Sequence, residues 1–276
     1  MLPNLVIIGA SKCGTTSLHY YLSLHPEIFM ARLKELNFFV LERNWHKGIK
    51  WYDSQFKTKR KIRGETSPSY SQCTRFKGVP RRMHSIVPDT KLIYLIRDPL
   101  ERTLSHYFHS YSEGVERGAI TEALKDFKSN LYVDCSRYYF QLEQYLQHFP
   151  KVSILVVAQE DLLHRRLPVL QKIFRFLEVD DSFETPAFSI LLNQSRLKRE
   201  KNRLGRLLTQ LNKTSFVHSL PPPFQEKVGR FFYRPFSGEL PRLRLEESLR
   251  AELMDYFKED MNRLKELTGQ DVGDWN

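Results

Sequence analysis

The segment L-V-I-I-G-A-S-K-C-G-T-T-S, residues 5–17, decides the fold of this chain. Residues 5–8 form a short apolar run rich in β-branched side chains, and Gly9 ends it, a pattern typical of a buried parallel strand. Apolar side chains then recur at helical spacing over residues 15–24, until a His-Pro pair stops the pattern. A strand, a glycine loop and a helix in this order form the opening unit of a nucleotide-binding α/β fold.

The glycine loop, residues 9–17, has the composition of an anion-binding cradle. Its glycines let backbone N–H groups curl around an anion, and the following helix points its N-terminus at the same place. The loop resembles a Walker A loop, except that Thr15 stands where a Walker A loop has its lysine and the lysine comes earlier. This displacement argues against a Mg²⁺-dependent triphosphate site. The residues that we expect to hold the anion are Lys12, Cys13, Gly14, Thr15, Thr16 and Ser17.

Further strand patterns alternate with helix patterns along the chain. Strands are predicted over residues 28–31, 91–97 and 153–158, and helices over residues 100–111, 167–177 and 246–267. Alternation of this kind predicts parallel strands joined by right-handed crossovers. No clear linker divides the chain, so we predict an α/β fold with a single P-loop-like domain over residues 1–276, in which helices flank a central, mainly parallel sheet.

The composition limits the partners and the compartment. A formal net charge of +11 over 276 residues attracts anions in general, including nucleotides, acidic glycans and nucleic acids. The three cysteines are widely spaced without a CxxC pair, which predicts no metal site and a reducing compartment. No apolar run approaches the ~20 residues of a transmembrane helix, and the first run is too short for a signal peptide. We therefore expect a cytoplasmic protein without stable membrane insertion.

Two longer stretches resemble the donor-binding motifs of the sulfotransferases that use 3′-phosphoadenosine 5′-phosphosulfate (PAPS), above all the heparan sulfate sulfotransferases and their bacterial relatives. The loop I-I-G-A-S-K-C-G-T-T-S-L resembles their 5′-phosphosulfate loop, and Y-L-I-R-D-P-L-E-R-T-L-S-H-Y, residues 94–107, resembles their 3′-phosphate motif. Matching segments follow in the family's order: L-S-L-H-P at 22–26, K-E-L-N-F-F at 34–39, W-Y at 51–52, E-T-S-P-S-Y at 65–70, S-R-Y-Y at 136–139, and the terminal helix with Trp275. The resemblance implies PAPS as donor, adenosine 3′,5′-bisphosphate (PAP) as product, and no metal.

The second motif supplies a predicted clamp for the 3′-phosphate of the donor. Arg97 ends a strand at the sheet edge where open α/β folds bind ligands, and Ser105 lies two turns into the next helix. A guanidinium fork and a hydroxyl suit a terminal phosphate. The alternative is that Arg97 pairs with a neighbouring carboxylate. Arg234, in Y-R-P-F-S-G, is a further candidate phosphate contact.

Three residues are predicted to carry the chemistry, an in-line attack of the acceptor on sulfur. Lys12 stabilises the leaving phosphate oxygen. The resemblance assigns the general base to Glu35, in the K-E-L-N-F-F segment. His109 is the alternative base or a helper, because it lies on the same helix face as Ser105 and an imidazole titrates near neutrality.

The acceptor is predicted more loosely, as a hydroxyl or an amine of a carbohydrate or glycoconjugate. Thr66 stands where heparan-type enzymes usually have a lysine, and their disulfide-bearing stretch and K-G-R loop are not recognisable, which puts a heparan acceptor in doubt. Two other functions stay open. A P-loop kinase of a small molecule would need lysine at position 15 and a carboxylate for Mg²⁺. A nucleic-acid-binding protein would use the basic run at residues 196–206, but no recognition motif accompanies that run, so no nucleic-acid partner is expected.

Overall fold

The computed structural model of this chain describes residues 1–190, 192, 200–202, 204, 228, 234–238, 245–269 and 275. Most of the basic stretch at residues 193–213, including seven of the eleven residues of the run at 196–206, therefore lies outside the described residues.

A five-stranded, entirely parallel sheet forms the centre of the fold. Its strands are β1 (Leu5–Gly9), β2 (Ile28–Met30), β3 (Ile62–Thr66), β4 (Lys91–Ile96) and β5 (Ile154–Ala158). They lie in the order β2-β3-β1-β4-β5, so the first strand is central and carries its glycine loop at the middle of the sheet's carboxyl edge. The predicted α/β class with a parallel sheet is confirmed.

Helices cover both faces of the sheet, as parallel strands require. They are α1 (Thr15–Leu24), α2 (Gly48–Ser54), α3 (Val79–Ile86), α4 (Pro99–Ser112), α5 (Ile120–Leu124), α6 (Leu131–Asp134), α7 (Tyr138–Leu146), α8 (Gln159–His164), α9 (Arg166–Leu177) and α10 (Glu247–Thr268). A short antiparallel pair, β6 (Glu200–Lys201) with β7 (Ser237–Gly238), lies apart from the main sheet. No helix in the described ranges is long and apolar enough to cross a membrane.

The core is continuous across these elements. Every residue of β1 is buried, as are the last five residues of β4, because parallel strands are covered on both faces. The buried apolar side chains belong to one cluster that runs from Leu5 to Leu264, so the C-terminal helix shares the core with the sheet. The fold is a single α/β domain. Its extension over all of residues 1–276 stays a prediction.

Strand β3 was not predicted, because its sequence I-R-G-E-T lacks an apolar run. Glycine packs closely there: a Cβ atom on Gly64 would lie 2.5 Å from the Met30 sulfur on β2 and would displace that side chain. Glu65 in the same strand is completely buried. The strand thus departs from the hydrophobic pattern at a closely packed glycine and at a buried acidic residue.

Candidate active site

The carboxyl edge of the sheet brings most of the predicted residues to one side of the molecule. Lys12 follows β1, Glu35 follows β2, Thr66 ends β3 and Arg97 follows β4. In open α/β sheets this edge is where ligands bind. The order of the strands therefore places the anion loop between the predicted base on one side and the predicted 3′-phosphate clamp on the other.

The anion loop has the backbone geometry of a cradle. Gly14 is the N-cap of α1 with φ 83°, a left-handed conformation that favours glycine, and Lys12 also has positive φ, at 74°. Gly9 is needed for close approach, since a Cβ atom there would lie 1.9 Å from Ser71 Oγ. The first turn of α1 has no side-chain cap and no acidic residue within the described structure, so its N–H groups and partial positive charge face the loop.

The hydroxyl-bearing residues lie at the start of α1, as predicted. Thr15 is buried, while Thr16 and Ser17 are half-buried. Cys13 lies in the loop with its thiol completely buried and 3.7 Å from Tyr138 Oη. Burial raises the pKa of this thiol to about 11, so it stays protonated and unreactive at neutral pH. Cys13 can therefore serve an anion through its backbone, not through a thiolate.

Arg102 is a buried cation directly behind this loop, and sequence reasoning missed it. Its guanidinium is fully buried, with Nη1 3.4 Å from the Ser11 carbonyl oxygen and Nε 2.5 Å from Ser136 Oγ, and it also donates to the Tyr132 carbonyl. It forms no ion pair with a carboxylate in the described part of the chain. An uncompensated buried charge favours an anion nearby. Its position within the 94–107 motif was the one sequence feature that could have identified it as part of the site.

Tyr138 joins the loop to the predicted phosphate clamp. Its hydroxyl lies against Cys13, donates to the Arg97 carbonyl oxygen at 2.8 Å and accepts from the Arg97 N–H at 3.2 Å. The backbone at the end of β4 is thus fixed relative to the anion loop. Tyr138 belongs to the S-R-Y-Y segment, for which the sequence resemblance implies no particular role.

The Arg97 side chain pairs with a carboxylate one helical turn away. Its Nη2 atom lies 3.1 Å from Glu101 Oε2, and the Glu101 side chain is half exposed. This is the alternative that the sequence left open for Arg97. Ser105 lies on the same helix, α4, and is buried. A phosphate that binds Arg97 would have to share or replace the contact with Glu101.

Glu35 lies on the loop after β2 with half of its side chain exposed. Its carboxylate contacts Lys34 Nζ at 3.1 Å, and its N–H donates to the Thr66 carbonyl oxygen at 2.9 Å, which ties it to the end of β3. The Thr66 hydroxyl is itself engaged, at 2.9 Å from Nδ1 of buried His19. Burial and the Lys34 charge lower the pKa of His19 to about 3, so this imidazole is neutral at physiological pH.

The two histidines of α4 differ in their surroundings. His109 is exposed on the helix surface. His106 packs edge-on against Tyr132, with Nδ1 3.4 Å from Arg102 Nη1. Burial, and then the charges of Arg102 and Lys12, lower the pKa of His106 to about 2, which makes it too weak a base for catalysis at neutral pH. The role predicted for His109 stays a prediction.

The last candidate contact, Arg234, begins a short 3₁₀ helix, Arg234–Phe236, and its side chain lies outside the described residues. Trp275 packs half-buried against the core.

Comparisons with known proteins extend over almost the entire chain. Residues 2–265 match the family model described as "Sulfotransferase domain". Human heparan sulfate glucosamine 3-O-sulfotransferase 5 is 30% identical over 263 residues, which is 83% of this chain and 73% of that protein. The bifunctional heparan sulfate N-deacetylase/N-sulfotransferase 1 of Caenorhabditis elegans is 27% identical over 201 residues, 67% of this chain and 23% of that protein.

Solved structures agree on the fold. A sulfotransferase from Alicyclobacillus acidocaldarius superposes with a TM-score of 0.71 at 24% identity, covering 100% of this chain and 99% of that one. Because the family model spans nearly every residue and the human relative covers most of the chain, this chain belongs to the sulfotransferase family and is a sulfotransferase.

Proposed function

We propose that this sulfotransferase moves the sulfuryl group of PAPS to a hydroxyl group, or less readily an amine, of a carbohydrate or glycoconjugate. The anion loop gives the main support for this proposal. The uncapped start of α1, Lys12 and buried Arg102 together concentrate positive potential there. In the reaction the acceptor loses a proton and its oxygen, or the nitrogen of an amine, gains a bond to sulfur, while the S–O bond to the 5′-phosphate breaks and PAP leaves.

The donor would lie along the carboxyl edge of the sheet. Lys12 and backbone N–H groups of residues 13–17 hold its 5′ end, and Arg97 with Ser105 holds the 3′-phosphate one strand further along. Tyr138 supports this assignment because its one hydroxyl fixes both positions. Lys12 stabilises the oxygen that leaves, since charge develops there in the transition state.

Glu35 is the proposed base on the opposite side of the loop. Its exposed carboxylate is accessible to an acceptor, and its backbone is tied to β3, next to the anion loop. Lys34 Nζ lies 3.1 Å from the Glu35 carboxylate and neutralises part of its charge. His109 remains the alternative base. The kinase alternative is weakened, because Thr15 occupies the position that its lysine would need.

The surroundings of Glu35 support an acidic saccharide as acceptor. Two guanidinium groups, those of Arg43 and Arg75, lie 4.8 and 5.1 Å from the centre of the Phe76 ring. The loop folds back so that Asn44 donates to the Leu36 carbonyl at 2.7 Å, which brings Arg43 to the Glu35 end of the loop. The named relatives act on heparan sulfate, an acidic glycan, which favours this class of acceptor.

Donor binding and transfer test the proposal separately. PAP should raise the melting temperature of the protein, whereas ATP with Mg²⁺ should not; stabilisation by ATP with Mg²⁺ alone would reject the donor assignment. Labelled PAPS is then offered with a panel of acidic and neutral oligosaccharides to wild type, E35Q and H109A. Loss of transfer in E35Q with retained PAP binding is expected, and undiminished transfer in E35Q assigns the base to His109 instead.

A cytoplasmic location stays a prediction.

A further inference from the structure

A completely buried carboxyl group lies beneath the loop that carries Glu35. Glu65, in β3, is 0% exposed and accepts hydrogen bonds from Ser67 Oγ at 2.7 Å, from Tyr70 Oη at 2.9 Å and from the Tyr52 hydroxyl. Within the described ranges no cation lies close enough to pair with it. An unpaired buried carboxyl group opposes folding, so its presence calls for a function.

The hydrogen bonds continue from this carboxyl group into the base loop, which we define as residues 35–39. Ser67 Oγ, which donates to Glu65, accepts from the Asn37 N–H at 3.0 Å. Asn37 Nδ2 in turn donates to the Glu35 carbonyl oxygen at 2.8 Å. On the other branch, Tyr70 Oη accepts from the Phe39 N–H at 3.4 Å. Two branches that start at one carboxyl group thus reach both ends of the base loop.

The base loop has a conformation that needs such support. Glu35 and Asn37 have φ angles of 63° and 48°, in the left-handed region that residues with a Cβ atom rarely adopt. Strain of this kind persists only where the surroundings fix the backbone, and it is concentrated at functional sites. The buried network supplies that restraint, because Asn37 is held through its N–H and through both atoms of its side-chain amide.

We propose that Glu65 is a positioning residue, which acts through Ser67 and Asn37 to hold Glu35 at the angle from which it takes the acceptor's proton. The inference rests on the proposed function of Glu35. Glu65 itself is too deeply buried to contact a substrate. Burial raises its pKa to about 7, and all three hydrogen bonds that it receives come from hydroxyl donors, which favour the ionised form.

The test compares E65Q, E35Q and the double variant. The measured rate is transfer of labelled sulfate to the best saccharide of the panel, or to water if no saccharide reacts. E65Q should lower kcat about tenfold to a hundredfold while its KM for PAPS and its affinity for PAP stay within about threefold, because misplacing a catalytic group affects the rate more than binding. In the E35Q background E65Q should cause no further loss, because the group that it positions is already gone.

Ser67→Ala provides a second route if E65Q does not fold. It cuts the branch to Asn37 while leaving both tyrosines on Glu65, so the same loss of kcat with retained PAP affinity is expected. Tyr145→Phe is the matched control: it removes another buried hydroxyl, which donates to the Tyr70 carbonyl at 2.9 Å, without touching the base loop. Its kcat should stay within about twofold of wild type.

A wild-type kcat in folded E65Q or S67A overturns the inference. The inference also fails if E65Q lowers kcat as much in the E35Q background as it does alone. Failure of the proposed function is a different result: wild type then neither binds PAP nor moves the label, and both proposals fall together.

Discussion

Arg97 is the residue whose predicted role and observed contact differ most. Its guanidinium pairs with half-exposed Glu101, and exposed pairs one helical turn apart contribute only about 0.3–0.5 kcal/mol. A bidentate contact with a phosphate is considerably stronger. The pair with Glu101 therefore orients Arg97 without preventing it from binding the donor.

Arg97→Gln should weaken PAP binding about tenfold to a hundredfold, since a charge-assisted hydrogen bond is worth about 1.5–3 kcal/mol. Binding of adenosine 5′-phosphate, which lacks the 3′-phosphate, should change little. Titration calorimetry with both nucleotides measures the difference. Glu101→Gln is the control and should leave PAP affinity within about threefold. Equal losses for the two nucleotides in R97Q would remove Arg97 from the 3′-phosphate site.

Glu65 should make the stability of the protein depend on pH. Its folded-state pKa is raised from 4.5 to about 7, so the folded protein binds more protons than the unfolded chain between these values. Stability therefore decreases as pH rises through this window, by about 3 kcal/mol at 1.36 kcal/mol per pKa unit. Urea unfolding from pH 4.5 to 8 should show this slope in wild type and Tyr145→Phe, and a flatter one in E65Q. Parallel slopes in all three would show that Glu65 titrates normally.

The residues that sequence reasoning found and those that it missed differ in a physical way. The anion loop was predictable because Gly9, Gly14 and Lys12 act within one short segment. Arg102 and Tyr138 were not, because each acquires its function from contacts made 41 to 125 positions away. Glu65 is similar: its carboxyl group is buried against Tyr52 as well as Tyr70 of its own segment, and a lone Glu gives no local signal of that.

At the scale of elements, α10 is fixed to α7 by one buried carboxylate. Asp260 Oδ2 accepts from the Tyr139 N–H and Oδ1 from the Phe140 N–H, each at 2.9 Å, so the last helix caps the first turn of α7. These N–H groups have no partner inside their own helix. The cap therefore orients α7, which carries Tyr138 and through it the backbone of Arg97.

Asp260→Ala should lower the free energy of unfolding by about 1–3 kcal/mol, because it leaves buried N–H groups without an acceptor. Urea unfolding followed by circular dichroism measures the loss. The neighbouring variant Glu259→Gln is matched to it, since it removes a carboxylate from the same helix that makes only an exposed pair with Arg263. That control should be indistinguishable from wild type. If the two variants unfold alike, Asp260 does not hold the helices together.

The sequence predicts the strands whose buried residues are apolar, and it does not predict the strand that buries a polar residue. Strands β1, β4 and β5 have the continuous apolar runs expected of strands covered on both faces. Strand β3 is also an interior strand, between β2 and β1, but contains Gly64 for close packing and Glu65 for the base loop. A functional requirement in the middle of a sheet thus hid the strand from pattern analysis, which is where consistency between local pattern and fold is expected to break.

For the whole molecule, the net charge of +11 predicts only a general attraction for anions. The arginines near the Glu35 loop make a more specific prediction, an acidic acceptor. Positive charge distributed over a surface raises the rate of encounter with any polyanion. Arg43 and Arg75 differ from that background, because both guanidinium groups lie against the Phe76 ring and neither pairs with a carboxylate among the described residues. Because these two guanidinium groups repel each other, an acidic group of the acceptor that binds between them would be stabilised.

The double variant Arg43→Gln/Arg75→Gln should raise KM for an acidic oligosaccharide about tenfold or more, which is about 1.4 kcal/mol or more for the two lost contacts together. The KM for a neutral saccharide should change little. Arg165→Gln/Arg175→Gln removes the same charge from α9 and its start, where both residues already pair with aspartates. If charge acts only through the overall field, the two double variants should show equal losses, and added salt should abolish both. If Arg43 and Arg75 bind the acceptor directly, the increase in KM should be larger in their double variant than in the control and should persist in salt. Equal losses would therefore contradict a defined acidic subsite while leaving the donor site untouched.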